Sequence, residues 1–127
     1  GREQLKKLPS LITGRRKNGK LVQQKLSDHP RFMIQQETGN SSWFGFSLVL
    51  RDPNTGSRQQ LVKELVDAGF EVRPIVTGNF AKNEVMKYFD YTVHAELKNS
   101  DYIDRHGLFI GNHHYGIETA VDALAAL

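Results

Sequence analysis

The sequence predicts an α/β (α+β) sandwich, a small sheet of about three strands covered by helices on one face. Three observations predict it. Apolar residues step by three and four through the first 29 residues, which is the period of an amphipathic helix. The run Trp43-Phe-Gly-Phe-Ser-Leu-Val-Leu50 is aromatic, branched and apolar on both faces, as a central strand requires. Downstream, turn clusters cut the chain into strand, helix, strand, helix, helix, strand and helix, an order that layers helices on a sheet.

Each element has its own signal. Leu5, Leu8, Ile12, Arg15, Gly19, Val22 and Leu26 share one helical stripe, with Pro9 expected to bend the helix or shorten its regular part. Arg15 falls on that stripe, so it either snorkels out with Arg16 or reaches an anion or a partner chain. His29-Pro30 stops the helix, and Phe32-Met-Ile34 suits an edge strand. In the Trp43 strand, Gly45 marks a bulge or the close approach of another backbone, and Trp43 is either core or ligand wall. Asp52-Pro-Asn-Thr-Gly56 is a turn cluster; Ser57 and Gln60 then form a capping box, and Gly69 ends that helix in the left-handed conformation. Phe70 to Val76 is a strand, Lys82 to Phe89 a short helix with Val85, Met86 and Phe89 inward, and Ala95 to Arg105 a helix with Leu97, Tyr102 and Ile103 inward. Leu108-Phe-Ile-Gly111 is a strand, and Gly116 to Leu127 a final helix.

With 127 residues, 39% hydrophobic and 24% charged, the chain has the composition of one ordinary globular domain. Zero Cys excludes disulfides and thiolate chemistry, and no apolar run approaches the length of a membrane span. A soluble cytoplasmic protein with no membrane partner fits best. Residues 1–31 carry a net +7 and residues 32–127 a net −4. The basic arm reads as a solvated helix face rather than a nucleic-acid contact, because it has no aromatic residue on which a base could stack. The helical pattern opens without a cap before it, so the chain is expected to be a piece of a longer protein.

Chemistry concentrates in Glu71-Val-Arg-Pro-Ile-Val-Thr-Gly-Asn-Phe80. Alternation places Glu71 and Arg73 on one strand face, Pro74 removes a backbone donor, and Thr77-Gly78-Asn79 opens a polar loop. Two readings stand for Glu71 and Arg73: a surface ion pair, or a guanidinium that holds a carboxylate or phosphate while Glu71 orients it. The loop at Asn112 and His113 follows the last strand. Adjacent His113 and His114 point opposite ways on a strand end and rarely share a metal ion, so no metal site is expected. There is no Walker loop, no Gly-x-Gly-x-x-Gly and no nucleophile elbow.

The runs Arg73-Pro-Ile-Val-Thr-Gly-Asn-Phe80, Lys87-Tyr-Phe-Asp-Tyr91, Asp101-Tyr-Ile-Asp104 and Leu108-Phe-Ile-Gly-Asn-His113 resemble the C-terminal part of the DegT/DnrJ/EryC1/StrS aminotransferase family. Within it the likeness is to the branch of 3-dehydratases that act on nucleotide-linked 4-keto-6-deoxyhexoses, the colitose-pathway type. The first helix, with Arg15-Arg16 and Asn18, is similar to the helix that joins the family's two domains, and the likeness covers nearly the whole chain. It implies an interdomain linker helix over 1–30 and a small C-terminal domain over 31–127, the small domain of a fold-type I enzyme. It also implies pyridoxal or pyridoxamine 5′-phosphate in the parent, held mainly by a large domain this chain lacks, and none in the chain alone. Glutamate and the nucleotide sugar would be the parent's partners, and a homodimer its assembly. No residue here matches the family's catalytic Lys or His, so no catalytic residue is transferred. Glu71, Arg73, Thr77, Gly78, Asn79, Asn112 and His113 are the expected substrate-facing residues, on strand ends and loops. The alternatives are a nucleotide-sugar aminotransferase, a basic-armed RNA- or phosphate-binding module, and a structural domain without ligand contacts.

Overall fold

The computed structural model describes residues 1–54 and 56–127. In order, the described residues form α1 (Arg2–Leu26), β1 (Phe32–Ile34), β2 (Gly45–Leu50), α2 (Arg58–Asp67), β3 (Val72–Arg73), two short 3-10 helices (Phe80–Lys82 and Glu84–Tyr88), α3 (Lys98–His106), β4 (Gly107–Gly111) and α4 (Glu118–Ala125). The sheet runs β1-β2-β4-β3 and is antiparallel throughout. It has four strands because Phe32–Ile34 does join as an edge, with Phe32 opposite Leu50. Beyond the end of β1, the side-chain amide of Gln35 stands in for a strand backbone. Its Nε2 donates to Gly45 O at 2.9 Å and its Oε1 accepts from Ser47 N.

One face of the sheet carries the core. Phe46, Leu48 and Leu50 of β2 and Leu108 and Ile110 of β4 alternate onto it, as period-two placement demands. They meet Val22 and Leu26 of α1, Leu61 and Leu65 of α2, and Val121 and Leu124 of α4. α3 contributes no residue to that core; it meets β2 and β4, where Tyr102 Oη donates to Leu50 O at 2.8 Å. Its expected inner face is only partly inward: Tyr102 is half-buried, while Leu97 and Ile103 are exposed.

Other expectations are corrected in the same physical terms. α1 runs through Pro9, and only its second half packs inward; Leu5 remains 65% exposed. In place of a helix over 82–89 there are two 3-10 turns, Phe80–Lys82 and Glu84–Tyr88, each started by an asparagine side chain: Asn79 accepts from Ala81 N and Asn83 from Val85 N. Val85 and Phe89 consequently stay exposed. β3 shrinks to two residues because Pro74 offers no ladder donor. α2 is capped by Ser57, whose Oγ accepts from Gln60 N at 3.1 Å, but Gln60 turns its own amide to Glu64 rather than closing a capping box. Gly69 takes the left-handed conformation that ends α2, with φ +87°. Thr55, in the 52–56 turn cluster, lies outside the described residues; within the cluster Asn54 N donates to Asp52 Oδ1 at 2.8 Å.

Candidate functional site

Four strands leave an open cavity of about 740 Å³ where β3 and β4 end against α1 and α4. Glu71, Arg73, Asn112 and His113 line it, together with Arg15, Phe44, Val76 and Phe109. The structure thus gathers four of the seven expected residues. Thr77, Gly78 and Asn79 are not among its lining residues. They follow Val76 in a tight turn closed by Gly78 N donating to Ile75 O at 2.9 Å.

Glu71 and Arg73 lie on the exposed side of β3, and Arg73 keeps 70% of its side chain in solvent. Both Nε and Nη2 of Arg73 donate to Glu71 Oε1, at 3.0 and 2.5 Å. That hydrogen bond and the adjacent positive charge hold the Glu71 carboxyl below its usual range and push Arg73 above its own. Being exposed, the pair adds little to stability. Its effect is to fix the guanidinium's direction at the cavity rim.

The loop after β4 is held from beneath. Asn112 is buried, and its Nδ2 donates to Trp43 O at 2.9 Å and Arg15 O at 3.2 Å. Its Oδ1 accepts from Asn18 Nδ2 at 3.1 Å. The same Asn18 amide reaches His113 O at 2.9 Å and Tyr115 O at 2.8 Å. Asn112 therefore spends its side chain inside the protein and shapes the wall, leaving His113 exposed beside it, stacked on Tyr115 with centroids 4.5 Å apart. Asn79 is likewise committed, accepting from Ala81 N and donating to Asp101. Gly78 sits at φ +66°, and a Cβ there would meet the Asp104 carboxylate.

Of the two aromatic residues that precede Gly45, Phe44 lines the cavity and Trp43 does not. Trp43 is core, with its indole 2.6 Å from where a Gly19 Cβ would stand, so α1 can approach only because residue 19 is glycine. Phe44, by contrast, is 75% exposed, stacks on Phe109 and lies under the Arg15 guanidinium. Nothing in the alternation of β2 signals this, because Trp43 adopts a positive φ of 54° and turns the chain just before the strand.

The family model for DegT/DnrJ/EryC1/StrS aminotransferases matches residues 1–124. The chain belongs to this family. Among its relatives is the GDP-4-keto-6-deoxy-D-mannose 3-dehydratase of Yersinia pseudotuberculosis, 54% identical over 98% of this chain and 32% of the relative. The E. coli GDP-4-keto-6-deoxy-D-mannose 3-dehydratase with bound hydrated PLP superposes with a TM-score of 0.92 at 53% identity, again over 98% of this chain and 32% of that one. The structure of a GDP-4-keto-6-deoxymannose 3-dehydratase with a trapped PLP–glutamate geminal diamine gives the same TM-score of 0.92, identity of 53% and coverage of 98% and 32%. The chain spans about a third of the length of the relatives it matches. Among the described residues no lysine lines the cavity, and its one lining carboxylate, Glu71, is tied to Arg73.

Proposed function

We propose that this chain is the small C-terminal lobe, residues 31–127 with a connecting helix over 1–30, of a PLP- or PMP-dependent enzyme that removes the C3 hydroxyl of a GDP-linked 4-keto-6-deoxyhexose. The cofactor supplies the electron sink for that elimination. The residues that hold it belong to the remainder of the enzyme, and this lobe lends the cleft a polar wall.

The observation that carries the reading is the Glu71–Arg73 pair at the rim of a cavity that also holds His113. Two of the guanidinium's nitrogens are locked on Glu71, leaving its Nη1 edge open for a carboxylate such as that of glutamate. Asn112 and Asn18 hold the loop that presents His113 toward substrate. Thr77, Gly78 and Asn79 form the turn that follows Val76, which itself lines the cavity. The basic face of α1 supports this reading over RNA binding, since Lys17 pairs with Glu118, Lys25 with Asp122 and Arg16 with the carbonyls of Asn40 and Ser41. A homodimer in the cytoplasm completes the proposal, with exposed Leu5, Leu8 and Tyr88 as apolar surface available for cover.

The test is made in the full-length holoenzyme with GDP-4-keto-6-deoxymannose and glutamate. Replacing Arg73 by Ala should raise the KM for glutamate roughly 10- to 100-fold, the usual worth of a charge-assisted hydrogen-bond pair, with Arg73→Lys intermediate. Wild-type kinetics in Arg73→Ala, or no conversion of the cofactor by glutamate in the unmodified enzyme, would reject the reading.

A further inference from the structure

Arg15 stands apart from the other guanidinium groups near the fold's interior. Arg16, Arg31, Arg51, Arg58, Arg73 and Arg105 each hold a carbonyl or a carboxylate. Half-buried Arg15 spends its backbone carbonyl on Asn112 Nδ2, and its guanidinium makes no hydrogen bond or ion pair with the described residues. The guanidinium's one partner among them is the Phe44 ring, 5.8 Å from its Cζ. Partly desolvating five N–H donors with nothing to receive them is costly, and an anion from outside would offset that cost.

The surroundings say which anion. Arg73 lies directly across the ladder from Phe109. Phe109 stacks on Phe44 with centroids 5.9 Å apart and planes 24° from parallel, and Arg15 covers Phe44. A row therefore crosses the cavity: guanidinium, ring, ring, guanidinium. Its two ends differ in charge. Arg73 is neutralised by Glu71, whereas Arg15 is uncompensated and belongs to a stretch of net +7 over residues 1–31. A multiply charged diphosphate gains most at the uncompensated end, and the exposed face of Phe44 offers an apolar floor to an adjoining base or ribose.

We infer that Arg15 and Phe44 seat the diphosphate half of the nucleotide sugar, at the opposite end of the row from Arg73. This rests on the function proposed above and assigns its nucleotide to one part of the cavity. The test is calorimetric titration of GDP into the full-length holoenzyme, alongside glutamate-driven conversion of the cofactor followed by absorbance. Arg15→Gln should weaken GDP binding roughly 10- to 100-fold and flatten its salt dependence; Arg15→Lys should recover part of the loss, and Phe44→Ala should weaken GDP on its own. Glutamate conversion should stay within about twofold in all three. GDP affinity within about twofold of wild type in both Arg15→Gln and Phe44→Ala, with melting temperatures unchanged, overturns the inference. So does a shift confined to glutamate. An enzyme that binds GDP through Arg15 but whose cofactor glutamate does not convert would sink the proposed function and leave this inference standing.

Discussion

Asn18 Nδ2 donates to Asn112 Oδ1 across 3.1 Å, and both side chains are buried. This amide pair fastens the first helix to the end of the central strand β4. Its further bonds to Arg15 O, Trp43 O, His113 O and Tyr115 O tie down every segment that borders the cavity on that side. Replacing Asn18 by Leu strands a buried carbonyl oxygen on Asn112 together with backbone acceptors. The expected loss is about 2–4 kcal/mol, from one to two unsatisfied buried groups. Urea unfolding measures it; a change under about 0.5 kcal/mol would mean that water replaces the amide.

Val76 has φ +50° and is 87% exposed. A β-branched residue in the left-handed region is strained, and exposure means that little packing compensates. Val76→Gly should therefore stabilise the fold, by about 0.5–1 kcal/mol after the entropy that glycine adds to the unfolded chain. A lower melting temperature in this variant would show that the valine side chain supports the turn.

Gly45 and Gly111 face each other across β2 and β4. A Cβ on Gly45 would strike the Phe109 ring and the Ile110 carbonyl, whereas a Cβ on Gly111 meets nothing within 4 Å. Gly45→Ala should cost about 1–3 kcal/mol through forced backbone movement, and Gly111→Ala should be close to neutral. Equal melting temperatures for the two variants would contradict the close approach.

His29 stacks on Phe32 with centroids 3.8 Å apart, and its Nδ1 accepts from Arg31 N. Burial, helped by the Arg31 and Arg51 charges, pushes its pKa below 6.5. The unfolded chain then binds this proton more readily than the folded one, so stability rises with pH across the interval between the two pKa values. The contribution is complete above about pH 6.5 and falls away as pH drops toward the folded value. His29→Asn, which keeps a side-chain acceptor, should flatten the dependence of the urea midpoint between about pH 7 and 5. A wild-type midpoint flat over that range would refute the assignment. Below it, Glu71, Asp101 and Glu118, all held below their usual values by lysine, arginine, amide or backbone partners, add a separate and small acid loss, screened by solvent.

Local chemistry made much of this legible. The β2 strand, the Ser57 cap, the Gly69 stop and the alternation that sets Glu71 beside Arg73 all depend on neighbours within a few residues. The Asn18–Asn112 pair spans 94 positions, and no local period announces it. Asn112 reads as substrate-facing from its place in the loop after the last strand; only the tertiary contacts show its amide bonded to Asn18, Arg15 and Trp43. Ile103, Val85 and Phe89 look inward on spacing alone, but spacing cannot report which face of an element finds tertiary cover, and all three are exposed. Arg15 on an apolar stripe is awkward by period alone, and among the described residues its half-buried guanidinium indeed has the Phe44 ring beside it and no hydrogen-bonding partner.

The rims of the sheet carry a last consequence. β1 offers three residues and β3 two, Gln35 occupies the ladder beyond one and Pro74 ends the other. Neither rim gives an incoming strand enough main-chain partners to dock sideways. Copies of this chain are thereby steered away from filament-like stacking, and any lasting association must be made through side chains.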